Sequence, residues 1–262
     1  MLNSRIFLCA LASAALGACG DPIITWGEPA TLERAIGSGD RLALSGDGVA
    51  RLVPDSSPAA PAAAGQCRAS VRMARDTTGE WYAVWWSALP DSTAEIVVAR
   101  SADGATWEPA VRVDTVDAGR SGCRRPAPAI DAWGGHVHVV YAMAAREGPG
   151  IFASHSMDRG VLFHSPVAIV YGERIGAADI AARGNIVAIA FEDPNSAQDQ
   201  IGLAYSNTMA HMFQHRQTVS LSGGGARSPR VALGEGRIAV AWMRAAGGAD
   251  PVGLARVGTL RD

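Results

Sequence analysis

Six arginines carry the first chemical signal in this chain. Arg68, Arg124, Arg125, Arg174, Arg227 and Arg230 each stand at the entrance to a short apolar segment. A guanidinium is permanently charged and presents planar, paired donors, so several around one opening would suit a carboxylate or another anion. The alternative is that they satisfy loop carbonyls and neighbouring carboxylates. Asp131, Asp179 and Glu192 lie on or beside similar segments. They are the best candidates for acid–base work, with turn capping and pairing to arginine as the plainer roles. His136 and His138 alternate, so on a strand both face one side. Zinc could use such a pair, but no third ligand is evident beside them. Solvated or packed histidines are expected, with no metal site.

Composition narrows the chemistry further. All 23 basic residues are arginine, which excludes Schiff-base and lysine general-base mechanisms. The net charge of −2 implies no general affinity for nucleic acid. No Ser-His-Asp pattern, phosphate loop or haem-attachment motif is visible, and no cofactor is expected.

The elements that would position these residues form a repeat. Ser101-Ala-Asp103-Gly104-Ala-Thr106-Trp107 recurs as Ser156-Met-Asp158-Arg-Gly160-Val-Leu-Phe163, and in worn form at Ser206-Asn-Thr208-Met-Ala210-His-Met-Phe213. A period of about 50 residues marks a propeller or solenoid, in which each unit is one supersecondary module. Around each copy the chain reads as four short strands with turn signals between them. One unit runs from Arg68 to Val113, and the next from Pro128 to Val170. A third runs from Ala178 to Val219. The last, Pro229 to Val257, stops one strand short.

Ile24-Thr25-Trp26-Gly-Glu28-Pro29 echoes Ala105-Thr106-Trp107-Glu108-Pro109, so the N-terminal segment is expected to supply the missing outer strand and close the ring. Residues 33–66 suggest a hairpin followed by a Pro/Ala/Ser-rich linker, either a degenerate blade or an insertion. Five blades are expected, with four as the alternative. Trp85, Trp86 and Trp242 read as wedges between blades.

The phrase Ser-x-Asp-(x)-Gly-x-Thr-Trp/Phe resembles the Asp box, or BNR repeat, of the sialidase-like β-propellers. The resemblance implies an all-β fold and structural roles for Ser101, Asp103, Gly104, Trp107, Ser156, Asp158, Gly160 and Phe163. In such a box Ser and Asp cap a tight turn, Gly takes a strained dihedral and the aromatic packs between blades. The box occurs in many propellers, so it implies fold far more than activity. A sialidase would need three arginines for the substrate carboxylate, an Asp acid–base and a Tyr nucleophile paired with Glu. Here Ala50-Arg51-Leu52-Val53-Pro54 lacks the aromatic of the family's early arginine motif. The last tyrosine, Tyr205, precedes Arg227 and Arg230, whereas the family's nucleophile follows its third arginine.

The chain opens with one arginine, an apolar run and small residues ending Leu16-Gly17-Ala18-Cys19. This reads as a secretory signal and resembles the bacterial lipobox, with Cys19 lipidated; an ordinary signal peptide is the alternative. The expected organisation is a signal at 1–18, a lipid-anchored tether at 19–22 and one propeller domain at 23–262. The location would be the periplasmic side of a bacterial envelope, with the outer membrane favoured in a Gram-negative source because Gly20 follows the cysteine. Cys67 and Cys123 then remain in an oxidising compartment, one repeat apart, as a candidate disulfide. The anchor, the small ring and the incomplete catalytic pattern lead to an expected non-catalytic role. The chain would be a protein-binding module or accessory subunit of a membrane complex. The alternative is a carbohydrate-active enzyme or glycan-binding lipoprotein that uses the mouth of the central channel for a glycan or other anionic ligand.

Overall fold

The computed structural model describes residues 23–221, 223–245 and 250–261. Cys19 and the whole segment read as signal and tether, residues 1–22, lie outside them. Among the described residues there are nineteen strands, in chain order β1 (Ile24–Trp26), β2 (Ala30–Thr31), β3 (Asp40–Leu44), β4 (Ala50–Pro54), β5 (Arg72–Arg75), β6 (Trp81–Ala88), β7 (Ala94–Ser101), β8 (Val111–Asp114), β9 (Ala129–Trp133), β10 (His136–Ala145), β11 (Gly148–Ser156), β12 (Val167–Tyr171), β13 (Ala178–Arg183), β14 (Ile186–Glu192), β15 (Ile201–Ser206), β16 (His215–Thr218), β17 (Ala226–Gly234), β18 (Arg237–Arg244) and β19 (Val252–Leu260).

These strands make three antiparallel four-stranded blades: β5–β8 (blade I), β9–β12 (blade II) and β13–β16 (blade III). In blade IV the strand order is β17, β18, β19 and then β1, with β2 also pairing β19. Ile24 pairs Leu260 and Trp26 pairs Gly258, so the N-terminal segment does supply the outer strand of the last blade. The hairpin β3–β4 is a two-stranded sheet in the fifth position, packed against β17 and β18. The fold is therefore an all-β propeller of five positions, of which one is degenerate.

Strands β6, β10, β14 and β18 are buried almost throughout. Each is the second strand of its blade and is covered by neighbours on both faces, which explains near-continuous apolar runs where a half-solvated strand would alternate. Successive faces make successive cores. Val84, Trp86, Ile96, Tyr141 and Met143 join blades I and II. Val140, Ile151, Ile169, Ile189 and Phe191 join blades II and III. Leu203, Ile238, Val240 and Trp242, with Ile24, join blades III and IV. Leu42 and Leu52 of the hairpin pack on Ala239 and Ala241 of blade IV.

Two parts of the sequence reading are corrected. The first strand of blade I starts at Arg72, because Ala62–Ser70 forms a 3-10 segment. That segment is not a free linker. It lays Ala64 on the outer face of blade I against Trp85 and Val97, covering a surface that a complete fifth blade would otherwise cover. Cys67 within it is joined by a disulfide to Cys123, which lies in the connection between blades I and II.

Tight turns hold the register. In the β9–β10 hairpin, Gly134 and Gly135 have φ of 61° and 83°, the two positive values of a primed turn. The Asp-box turns are built from side-chain oxygens. Ser101 Oγ accepts the Gly104 N–H at 2.9 Å, and Asp103 Oδ1 accepts those of Ala105 and Thr106, each at 2.8 Å. Gly104 has φ of 76°. Its missing Cβ leaves room for Pro58 and Trp81 at 3.0 and 3.2 Å. In the second box Ser156 Oγ accepts from Gly160 and Asp158 Oδ1 accepts from Leu162. In the third, Thr208 stands in the Asp position and its hydroxyl accepts from Met212, so the turn survives without a carboxylate.

Candidate functional site

The inner strands β3, β5, β9, β13 and β17 surround a central channel of about 390 Å³. Arg41, Arg72, Asp131, Asp179 and Arg230 line its wall, one from each strand in turn, and Asp40 of β3 and Asp55 just after β4 line it as well. In most of them the residue that follows is buried (Leu42, Ala132, Ile180, Val231). This is the alternation a strand needs to hold an apolar side chain in the core while its neighbour points to the channel.

The five groups are unequally engaged. Arg230 donates Nε to Asp40 O at 2.7 Å, Nη1 to Pro229 O at 2.8 Å and Nη2 to Gly37 O at 3.1 Å. Arg72 donates Nη1 to Val71 O at 2.8 Å and to Ala69 O at 3.3 Å. Asp131 Oδ2 accepts the Ala182 N–H of blade III at 2.8 Å. Asp179 Oδ2 accepts the Val231 N–H of blade IV at the same distance. These two carboxyls thus clamp each inner strand to the next. Burial pushes both up, Asp131 to about 6, although the backbone donors and the Arg41 charge pull the other way. Arg41 is exposed and, among the described residues, its guanidinium makes no hydrogen bond or ion pair; its charge acts on Asp131 and Asp179.

A second concavity of about 250 Å³ opens beside the channel between blades III and IV. Arg174, Glu192, Asp199 and Arg227 line it. Arg227 donates Nη2 to Asp199 Oδ2 at 2.7 Å, and Arg174 donates to the Ser196 and Pro194 carbonyls. Glu192 ends the second strand of blade III and is not on an inner strand. Its oxygens accept the Ala177 N–H at 3.2 Å and the Ser228 N–H at 2.8 Å. It ties the two blade entrances together, and Gly176 has no side chain because a Cβ there would strike the Glu192 carboxylate.

The six arginines singled out in the sequence are therefore not one ring. Arg230 lines the channel, and Arg174 and Arg227 line the neighbouring concavity. Arg68 lies exposed in the 3-10 segment and Arg124 exposed in the blade I–II connection. The Arg125 side chain is 6% exposed and ion-paired to Asp117 at 2.6 Å, with its guanidinium 5.0 Å from the Trp86 ring centre. The arginines that join Arg230 on the wall are Arg41 and Arg72. Arg72 could have been found from the Arg72/Asp131/Asp179/Arg230 correspondence among the inner strands. Arg41 sits in the hairpin, where the repeat has lost its outer strands.

The two alternating histidines share a face as expected, but they do not share an environment. His136 is half-buried at the start of β10, whereas His138 is 1% exposed with both ring nitrogens unpartnered. Across the ladder His138 pairs His155, whose ring centre is 6.0 Å away and which is also buried. Burial and the neighbouring imidazoles lower His138 to about 3 and His155 to about 4, so both are neutral imidazoles near neutrality.

The raised Asp131 sets a pH dependence. Its folded-state value lies above the ordinary 3.8, so folding takes up a proton between the two. The Asp131 contribution to stability should rise as pH falls from 7 through 6 towards 4. The buried histidines act oppositely, because their lowered values mean stability is lost as pH falls below 6.5. The difference between the wild-type chain and Asp131→Asn isolates the aspartate. In urea denaturation, the stability gained by the asparagine should be largest at pH 7 and shrink by pH 5. A gap that does not change with pH would contradict the assignment.

No known protein family matches the chain by sequence, and no curated protein does. Solved structures that resemble it are propeller glycoside hydrolases at low identity. The Hadza microbial sialidase Hz136 is 17% identical over 73% of this chain and 45% of its own length, with a TM-score of 0.48. Trypanosoma rangeli sialidase is 14% identical over 86% of this chain and 40% of its own, at 0.46. The family 117 glycoside hydrolase Zg3597 of Zobellia galactanivorans is 11% identical over 82% and 71%, at 0.45. The chain thus spans less than half the length of the two sialidases it resembles.

Proposed function

We propose that this propeller binds an acidic carbohydrate in its central channel. The observation that carries the reading is Arg41, a free guanidinium held among Asp131, Asp179, Arg72 and Arg230 in a recess the size of a small-ligand site. A carboxylated sugar would take Arg41 in a paired, charge-assisted contact. Its hydroxyls would meet the two carboxyls, whose backbone N–H partners occupy only part of their accepting capacity. Asp131, ionised and protonated in comparable amounts near pH 6, has the properties of a general acid. Hydrolysis of the bound glycoside is the chemistry this site would support, and it is tested separately from binding.

The test is calorimetry with uronate- or sialate-containing oligosaccharides against neutral ones. Binding should be confined to the acidic set, and Arg41→Ala should weaken it at least about tenfold, the loss of one charge-assisted pair. Equal binding of neutral and acidic glycans, or an unaffected Arg41→Ala, would overturn the reading. Chromogenic glycosides assayed from pH 4 to 8 show whether turnover accompanies binding.

A second reading, the lipid-anchored protein-docking subunit, is favoured by one observation. Met157, Val161, Leu162 and Met212 are large apolar side chains left exposed on the second and third Asp-box loops. Isolated exposed side chains are ordinary, but these four sit on neighbouring blades. Cross-linking of the membrane-extracted protein, with mass spectrometry, tests it. A stoichiometric partner linked through these loops supports docking, and a monomer without partners removes it.

A further inference from the structure

We infer that His155, His164 and His211 form a binding site for one divalent transition-metal ion of the zinc type, on the Asp-box side of blades II and III. This departs from the sequence expectation of no metal and does not depend on the channel reading.

Each histidine offers a ring nitrogen, and the three nitrogens lie within 4.8 Å of one another. His155 is on β11. His164 follows the second Asp box in the β11–β12 loop, and His211 lies in the third box, in the β15–β16 loop. The ring centre of His155 is 4.5 Å from those of both His164 and His211. Convergence of three imidazoles from two blades is not produced by a repeat, because His164 follows its box whereas His211 lies within its own.

Three further features point to a ligand. His155 is 3% exposed and its Nε2 is buried without a hydrogen-bond partner. A buried ring nitrogen left unpaired costs stability unless something else satisfies it. His211 Nδ1 lies 2.8 Å from Thr208 O, a contact that makes Nδ1 the donor and leaves the Nε2 lone pair free. Metal-bound histidines are oriented in this way, by a carbonyl on the second nitrogen. His164 is held through its backbone: its N–H donates to His155 O at 2.9 Å and its carbonyl accepts from Ser154 Oγ at 2.7 Å.

The donor set selects the ion. Three imidazoles with no carboxylate among them suit zinc, copper or nickel and disfavour magnesium and calcium, which require oxygen. Zinc–nitrogen bonds of about 2.0–2.1 Å place tetrahedral donors roughly 3.4 Å apart. The two exposed loop histidines have the side-chain freedom to close that spacing around the buried one. With His164 and His211 facing solvent, the fourth position is open to water. The ion would also cross-link blades II and III at the end opposite Glu192.

The test uses the full chain, free of any histidine tag and treated with chelator, titrated with zinc chloride by calorimetry and by thermal unfolding. One equivalent should bind and raise the Tm, while magnesium and calcium should not. His164→Ala and His211→Ala, both at exposed positions, should each weaken zinc at least tenfold and abolish the Tm shift without lowering the metal-free Tm. His215→Ala should leave both unchanged. Cobalt should give the visible absorption of a four-coordinate site in the wild-type chain and lose it in the variants. Zinc binding that is absent, or that persists at equal strength in the His164→Ala/His211→Ala double variant, would overturn the assignment.

Discussion

Trp86→Ala should cost about 3–5 kcal/mol in urea denaturation, the range for emptying a buried tryptophan site. Trp86 is fully buried between blades I and II, where its ring meets Tyr141 edge-on at 6.3 Å. Its indole N–H donates to Pro126 O at 2.9 Å, and its backbone N–H donates to Ser70 Oγ of the 3-10 segment. The Arg125 guanidinium lies against the ring while its nitrogens bond Asp117, Gly119 and Gly122. Removing the ring would leave a cavity, an unpaired carbonyl and a buried arginine without its apolar cover.

The whole loss would fall on a domain whose total stability is of the order of 5–15 kcal/mol. Trp86→Phe separates the contributions. It keeps most of the volume and loses the N–H, so about 1–2 kcal/mol is expected. A Trp86→Ala loss no greater than that of Trp86→Phe would mean that the blade I–II core is not packed as described.

The same residue shows what was legible beforehand and what was not. A buried tryptophan in a run such as Trp81-Tyr-Ala-Val-Trp-Trp86 is readable because continuous apolar strands occur where both faces are covered. The Asp boxes are readable for a similar reason. Their turns need Ser, Asp and Gly at fixed offsets, so geometry is written locally. Asp131 and Asp179 were found because their strands repeat. Arg41 was not, since the fifth position keeps only two strands and the phrase that marks a blade has gone with the others.

Arg68 and Arg124 stood near strand entrances in sequence yet do not line the channel; for Arg68 this is because the strand of blade I begins four residues later. Strand faces alternate, so small errors in a boundary move side chains to another surface. The three-histidine cluster was invisible for a different reason. His164 and His211 meet through the packing of two blades, and no local spacing encodes that. The one available signal was the cross-strand partner of His138, which the hairpin register makes His155.

The closing strand offers the second large effect. Ile24→Asp should lower stability by at least about 4 kcal/mol and make the chain self-associate at higher concentration. Ile24 is 3% exposed within the blade III–IV core, so the substitution removes about 1.5–3 kcal/mol of apolar burial and places a carboxylate where nothing pairs it. The chain can relieve that charge only by detaching β1. Detachment exposes the β19 edge, Leu260 and the Gly258 backbone against which Trp26 packs, and it breaks the Trp26 Nε1 contact to Gln217 Oε1 of blade III. An unpaired edge next to apolar side chains is a template for pairing with another chain.

Thr25→Asp lies on the same strand with its side chain outward and should change stability by less than about 0.5 kcal/mol. The contrast is read by urea denaturation together with sedimentation velocity. If Ile24→Asp behaved like Thr25→Asp, β1 would be an ornament on a ring already closed by β19. If it unfolds or associates as expected, the stability of all five inner strands depends on a three-residue strand at the start of the domain. The channel that gathers Arg41, Asp131 and Asp179 exists only while that ring is shut.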